Sequence, residues 1–315
     1  MIQKIKQIIK WFLKKFKLRN NLKQLEKAGK HIKSEDLIKD LKKMGIKEGD
    51  VVLVHSSLKS IGYVEGGANT VINTLLKVIG YDGTLVLPTY SMKGTMYNTC
   101  ISKNYVFDIK KSDSILGAIP SAFLKRGNIS RSIHPTHSIS AIGKYAQHIT
   151  ETHHIGNKTF GENSPWAKLI ELNGKILGIG ITLGPTTQYH YIEDLMGEDF
   201  PLKVKDDNIY KINCIVENGE YIQVDVQPLD PEVAKTRIDK KESSFIRNYF
   251  WEIYYKLGVL KVGNIGLAKS WQVNSKSFIN ILIKLAKIGI TIYSTERQLK
   301  NNNLYPFDLI KDRLK

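Results

Sequence analysis

His190 and Glu193 stand three residues apart in the stretch Gly184-Pro185-Thr186-Thr187-Gln188-Tyr189-His190-Tyr191-Ile192-Glu193-Asp194. On a helix that spacing puts both side chains on one face. Imidazole exchanges protons near neutral pH, so a histidine beside a carboxylate suits a general base and its neighbour. The plain alternative is a partly exposed helix start with an incidental histidine. A second candidate is the Ser/Gly-rich loop from Ser56 to Gly67. Backbone N–H groups and hydroxyls ahead of a helix suit a phosphate or an amide chain, although a long connection would read the same way. No Gly-Lys-Ser/Thr closes it, so it is not a nucleotide P-loop. A third is Arg131-Ser132-Ile133-His134-Pro135-Thr136-His137-Ser138. His134-x-x-His137 has no third or fourth ligand spaced nearby, and no metal is expected. In Gly178-Ile179-Gly180-Ile181-Thr182-Leu183-Gly184 the last glycine is one residue late, and Pro185 breaks the helix that should follow. A dinucleotide site is therefore not expected.

These groups need elements to hold them. Residues 51–54 read as a short buried strand with His55-Ser56-Ser57-Leu58 at its carboxyl end. A helix over 69–79 and a strand over 84–88 complete a βαβ unit, which predicts a parallel sheet with ligands at the carboxyl ends of its strands. Residues 175–181 read as another buried strand. Ser34 reads as the N-cap of a first helix, and Pro165 as the first residue of a later one. Residues 116–124 and 244–257 read as helices, and 275–288 as the final one. Asn218-Gly219 between alternating runs predicts a hairpin over 208–224. Residues 260–267 read as a strand or turn, and 91–111 as a lid or an insertion. The expected fold is α/β: a layered α/β/α sandwich with a mostly parallel central sheet and a smaller β-hairpin-containing subregion, plus an N-terminal amphipathic helix. The expected division is a basic arm, 1–33, and a domain, 34–315.

The arm carries eleven Lys/Arg and one acid, Glu26, and so accounts for +10 of the net +17. Ile2, Ile5, Ile9, Phe12 and Phe16 form one helical stripe. Two readings stay open: residues 1–19 lie on an anionic membrane surface, or they dock on the body of the protein or on a second subunit of a homo-oligomer. Nucleic acid is not expected, because no recognition module follows. Lysines interrupt any signal-peptide core, and no apolar run reaches the ~18 residues of a membrane span. Two distant cysteines, Cys100 and Cys214, make no disulfide framework. A cytoplasmic location follows as the expectation, with the arm peripheral at the inner membrane face.

Several stretches resemble one family in order. Val54-His55-Ser56-Ser57-Leu58-x-Ser60-Ile61-Gly62-x-Val64-x-Gly66-Gly67-Ala68 is similar to the first signature of the aminoglycoside 3-N-acetyltransferase family. So are Gly83 to Thr89, Arg131-Ser132-x-His134-Pro135-x-His137-Ser138, Phe160-Gly161-x-x-Ser164-Pro165 and His190-x-x-Glu193. Gly263-Asn264-Ile265-Gly266-x-Ala268 is a weaker match. The resemblance implies an acyltransferase of a non-GNAT fold that moves an acetyl group from acetyl-CoA to an amine of a sugar-like acceptor. It implies His190 as the base at the acceptor amine, Glu193 binding or orienting, and His134 and Ser138 lining the same cleft, His134 with the catalytic residues and Ser138 with those that bind the cofactor. It implies that His55, Ser56, Ser57, Leu58, Val64, Gly66, Gly67 and Ala68 hold the cofactor. Backbone N–H groups or a serine hydroxyl at the Ser56-Ser57 turn are the expected oxyanion donors. The chain departs from the pattern at Gly184, Pro185, Gln188 and Tyr189, and it is basic where a polycationic acceptor calls for an acidic cleft. A nucleotide- or lipid-linked amino sugar in surface-polysaccharide synthesis is the alternative acceptor. A membrane- or partner-binding protein with an inactive acetyltransferase domain is the alternative of another class.

Overall fold

The computed structural model describes residues 31–314, so the stripe at 1–19 lies outside the described residues. Apolar alternation builds the centre. In β1 (Val51–Ser56) the side chains of Val52 and Val54 join one core, and those of Val51 and Leu53 join another across the sheet. β2 (Thr84–Pro88) does the same with Leu85 and Leu87 against Val86. β1 pairs in parallel with β2 and with β6 (Lys175–Ile179). Helices α1 (Ser34–Lys43), α2 (Gly67–Ile79) and α3 (Ala118–Leu124) cover one face. On the other face lie α4 (Pro165–Glu171), α6 (Ser244–Lys256) and α7 (Ser275–Lys287). This is the expected α/β/α sandwich.

The large sheet runs β4-β5-β2-β1-β6-β10-β9, with β4 at Ser130–Arg131, β5 at Ile139–Gly143, β9 at Lys261–Ile265 and β10 at Ala268–Asn274. Only β5 and β10 oppose the common direction. The small sheet is β3 (Val106–Asp108), β7 (Tyr210–Ile215) and β8 (Tyr221–Val226), and its β7–β8 pair is the hairpin expected at Asn218-Gly219. Residues 91–111 belong to it: they form a short helix, Met96–Cys100, and β3. Arg131 staples the two sheets together. Its guanidinium lies 4.9 Å from the Phe107 ring and donates to Ile109 O, Ser112 O and Thr89 O.

Three expectations change. Ser34 does not cap α1; its hydroxyl pairs with Thr74 Oγ1 at 3.0 Å, and Asp36 accepts the Lys33 N–H instead. β1 extends through His55 and Ser56, because both pair across to β6. α7 is not the last helix: Glu296–Asn301 and Lys311–Leu314 follow and bury Leu299 and Leu314 in the same core.

The glycines of Gly178-x-Gly180 serve packing. Gly178 faces Trp271 across the β6–β10 pair, and a β-carbon there would lie 2.1 Å from indole Cε2. The indole N–H donates to Ile181 O at 2.9 Å, which fixes how the chain leaves β6. Gly180 then turns at φ +67. At the same end of the sheet the core becomes polar. His55, His134, His137 and His153 are all buried. Burial lowers His55 to about 4 and His153 to about 3, and it takes His134 and His137 well below the usual value.

Gly178→Ala is expected to destabilise the fold by about 3 kcal/mol, the upper end for overpacking a rigid core, read as a lowered denaturation midpoint. The histidines predict acid sensitivity. Their folded pKa values are depressed, so the stability they contribute is present above the unfolded value of ~6.5 and lost as pH falls below it, at up to about 1.4 kcal/mol per pH unit for each histidine. The midpoint should already drop between pH 7 and pH 5, before carboxylates titrate appreciably. A flat profile over that window contradicts the burial of these rings.

Candidate active site

Beyond Gly180 the chain makes a 3-10 turn, Thr187–His190, and enters α5 (Tyr191–Met196). Buried contacts hold the turn from several sides. Thr187 Oγ1 bonds the Tyr90 hydroxyl at 2.6 Å, just past the end of β2. Gln188 donates to Trp166 O at 3.3 Å. The Tyr189 ring packs against Phe250 and Phe278. Gly184 fits against the backbone of Ile238 and Asp239, where a β-carbon would come within 3.3 Å. His190 is thus presented rigidly at the carboxyl end of the parallel strands, where ligands bind in such sheets.

His190 Nδ1 lies 2.9 and 3.0 Å from the two carboxylate oxygens of Glu193. The Tyr293 hydroxyl donates to Glu193 Oε1 at 2.8 Å. The Glu193 side chain is 0% exposed and that of His190 8%. Burial, reinforced by Glu193, raises the Tyr293 phenol well above its usual value, so it stays a donor. With Glu193 accepting from both sides, the imidazole proton belongs on Nδ1, and the Nε2 lone pair is left to take a proton. Phe160 lies 5.1 Å from the His190 ring and is held by Asp194, which accepts its N–H at 2.8 Å and pairs with Lys205 at 2.9 Å. Arg237, paired with Asp239, stands near enough to feel Glu193 and Tyr293. Burial opposes its charge, yet Asp239 and these neighbours raise it further.

The other candidates divide. His134 turns its Nδ1 into its own loop, accepting the N–H groups of Thr136 at 3.3 Å and His137 at 3.1 Å, and its ring stacks 4.3 Å from His153. The histidine that reaches the His190 side is His137, which shares the Phe160 ring at 5.1 Å. Ser138 is fully buried, donating to Thr89 O and accepting from Arg131. His55 and Ser56 end β1, and His55 Nε2 is buried without a hydrogen-bond partner. The Ser57 N–H is spent on Ile179 O at 2.9 Å, which leaves the serine hydroxyls among the oxyanion donors expected at the Ser56-Ser57 turn. Leu58 opens a helical turn, Leu58–Ile61. Val64 bridges to Ile32, and Gly66 and Gly67, both at positive φ, lead with Ala68 into α2. Tyr293, Arg237 and Asp239 carried no motif; Tyr293 lies 100 residues beyond Glu193. Among the described residues no His/Cys/Asp/Glu cluster could hold a metal ion. A large open concavity of 1510 Å³ lies around Gly83 and Gly143, at the opposite end of the sheet from His190.

The aminoglycoside 3-N-acetyltransferase family profile matches residues 53–287. An aminoglycoside N(3)-acetyltransferase III of Serratia marcescens is 32% identical over 170 residues, which is 50% of this chain and 63% of that protein. One from a Salmonella species is 28% identical over 251 residues, covering 76% of this chain and 86% of its own length. The solved structure of AAC-IIIb, a binary complex with CoASH, superposes with a TM-score of 0.68 at 22% identity, covering 84% of this chain and all of that one (100%). The chain belongs to the aminoglycoside 3-N-acetyltransferase family, whose members are acyltransferases that draw their acetyl group from acetyl-CoA.

Proposed function

We propose that this chain transfers the acetyl group of acetyl-CoA to an amine of an aminoglycoside-type amino sugar, with His190 as the general base. The observation that carries this is the buried run Tyr293–Glu193–His190, with its hydrogen bonds of 2.8 and 2.9 Å. An amine at neutral pH is mostly ammonium and cannot attack a thioester. Its ammonium proton goes to solvent; as the neutral nitrogen then bonds the thioester carbonyl carbon, His190 Nε2 takes a second N–H proton from it and the C–S bond breaks. The coenzyme A thiolate leaves and recovers the proton from the imidazolium. No protein nucleophile is required, since the thioester is already activated and catalysis comes from holding two substrates together.

Glu193 keeps the ring turned and offsets the imidazolium charge as it forms, and Tyr293 keeps Glu193 in place. Support for the donor site comes from the position of residues 55–58 and 64–68. They gather between the end of β1 and the start of α2, where N–H groups can meet the pantetheine and phosphates. The family relatives named for aminoglycosides support that acceptor class.

His190→Ala should leave acetyl-CoA affinity unchanged by calorimetry and cut coenzyme A release with an aminoglycoside acceptor by about 10²–10⁴-fold. Near-normal turnover sinks the base assignment, and turnover on nucleotide-linked amino sugars alone sinks the acceptor class. Tyr293→Phe removes one hydrogen bond from a buried carboxylate, a loss of roughly 1.5–3 kcal/mol. Its kcat should fall about tenfold or more with the KM for acetyl-CoA unchanged.

A further inference from the structure

The first residues of the described chain are fastened to the loop assigned above to acetyl-CoA. The Ile32 N–H donates to Tyr63 O at 2.8 Å, and Ile32 O accepts the Glu65 N–H at 3.1 Å. Together they form a parallel bridge to Val64. His31 meets the Tyr63 ring edge-on at 4.8 Å. The Ile32 side chain fills a notch that only glycines leave open: its Cδ1 would lie 2.9 Å from a β-carbon on Gly62 and 2.9 Å from one on Gly266. Both glycines are at positive φ, +105 and +57. Gly266 begins the turn between β9 and β10, which is itself tied down by Asp40 and by Ile61 O.

The loop needs such a fastening. Gly62, Gly66 and Gly67 all sit at positive φ, and a chain so rich in glycine loses much conformational freedom when ordered. α2 begins at Gly67 with no side chain capping it; inside the loop the Gly67 N–H donates to Val64 O at 2.9 Å and the Val64 side chain is buried, and Ile32 adds a tie from outside it. One apolar side chain and two backbone hydrogen bonds join the loop to a turn of the main sheet.

We propose that Ile32 is a positioning residue for acetyl-CoA: it holds the Val64–Ala68 loop in the shape that receives the cofactor. The inference rests on the cofactor loop proposed above. In the full-length protein, Ile32→Ala removes the wedge but keeps the backbone bridge. The KM for acetyl-CoA should rise about tenfold, while kcat at saturating acetyl-CoA and the acceptor KM stay as in the parent. Ile32→Leu, which still reaches the notch, should restore most of the affinity. An Ile32→Ala variant whose acetyl-CoA KM stays within about twofold overturns the proposal, and so does one that loses kcat alone. Gly67→Asp separates the two readings. It places a carboxylate where nothing lies within 4 Å, in a conformation that Asp tolerates better than most residues. If it raises the KM and Ile32→Ala does not, only the role of Ile32 falls; if neither variant moves the KM, the loop is not the cofactor loop.

Discussion

A carboxylate with no exposure to water sets the terms for this molecule. Burying the charge of Glu193 is costly unless donors replace its hydration. The donors come from distant parts of the chain. His190 stands one helical turn away, and Tyr293 arrives from the loop after α7. Arg237, from the segment between the small sheet and α6, adds its charge nearby. Each donor depends on correct packing elsewhere: Tyr189 beneath the 3-10 turn, α7 against α4 and α5, Arg247 clasping the backbone of Ile238 and Lys240. Losing one partner leaves a buried charge under-solvated, so the site and this half of the core are stabilised together.

The sheet supplies the other constraint. β1, β2 and β6 end at the same edge, and the turns that follow them carry Ser57, Tyr90 and the His190 segment. The 132–138 loop enters β5 from that edge because β5 runs the other way. Antiparallel β5 and β10 therefore do more than extend the sheet. β5 brings the buried histidines to the edge, and β10 lays Trp271 across Gly178 and aims the chain toward His190. Arg131 links this edge to the small sheet through six hydrogen bonds to five residues, Ile109, Ser112, Thr89, Ser91 and Ser138. Burial lowers its pKa only to about 10, so it remains charged.

Parts of this plan were legible in the residues because they are local. The runs at 51–54 and 84–88 are apolar on both faces, as strands buried between two helical layers must be, and α2 between them shows its period. The His190–Glu193 pair was legible for the same reason: a three-residue spacing needs no knowledge of the rest of the fold. β10 was not, since Lys269, Ser270 and Gln272 interrupt its apolar pattern and it earns its place only against β6. Nor was Tyr293, whose partner is a hundred residues away. The motif residues also carry different burdens. His134 and Ser138 share a motif with His137, yet His134 Nδ1 and the Ser138 hydroxyl are consumed in shaping the loop. A motif records what a site needs, including its walls.

Charge shows the same distinction between a total and a place. The chain is strongly basic, which taken alone argues for an anionic acceptor. Ten of its seventeen net charges reside in residues 1–33, and the cations around His190 are matched in place. Arg237 is bound by Asp239, and Lys205 by Asp194 at 2.9 Å. Asp239 pays for partial burial, yet Arg237, Lys240 and His190 keep its carboxyl below the usual value. Glu193 is left as the charge closest to the His190 ring, and it is negative. Coulomb energy falls with distance and is screened over ~8–10 Å in physiological salt. A cationic sugar approaching His190 therefore meets this local balance rather than the net charge of the chain, and the basic composition is no argument against an amine-rich acceptor.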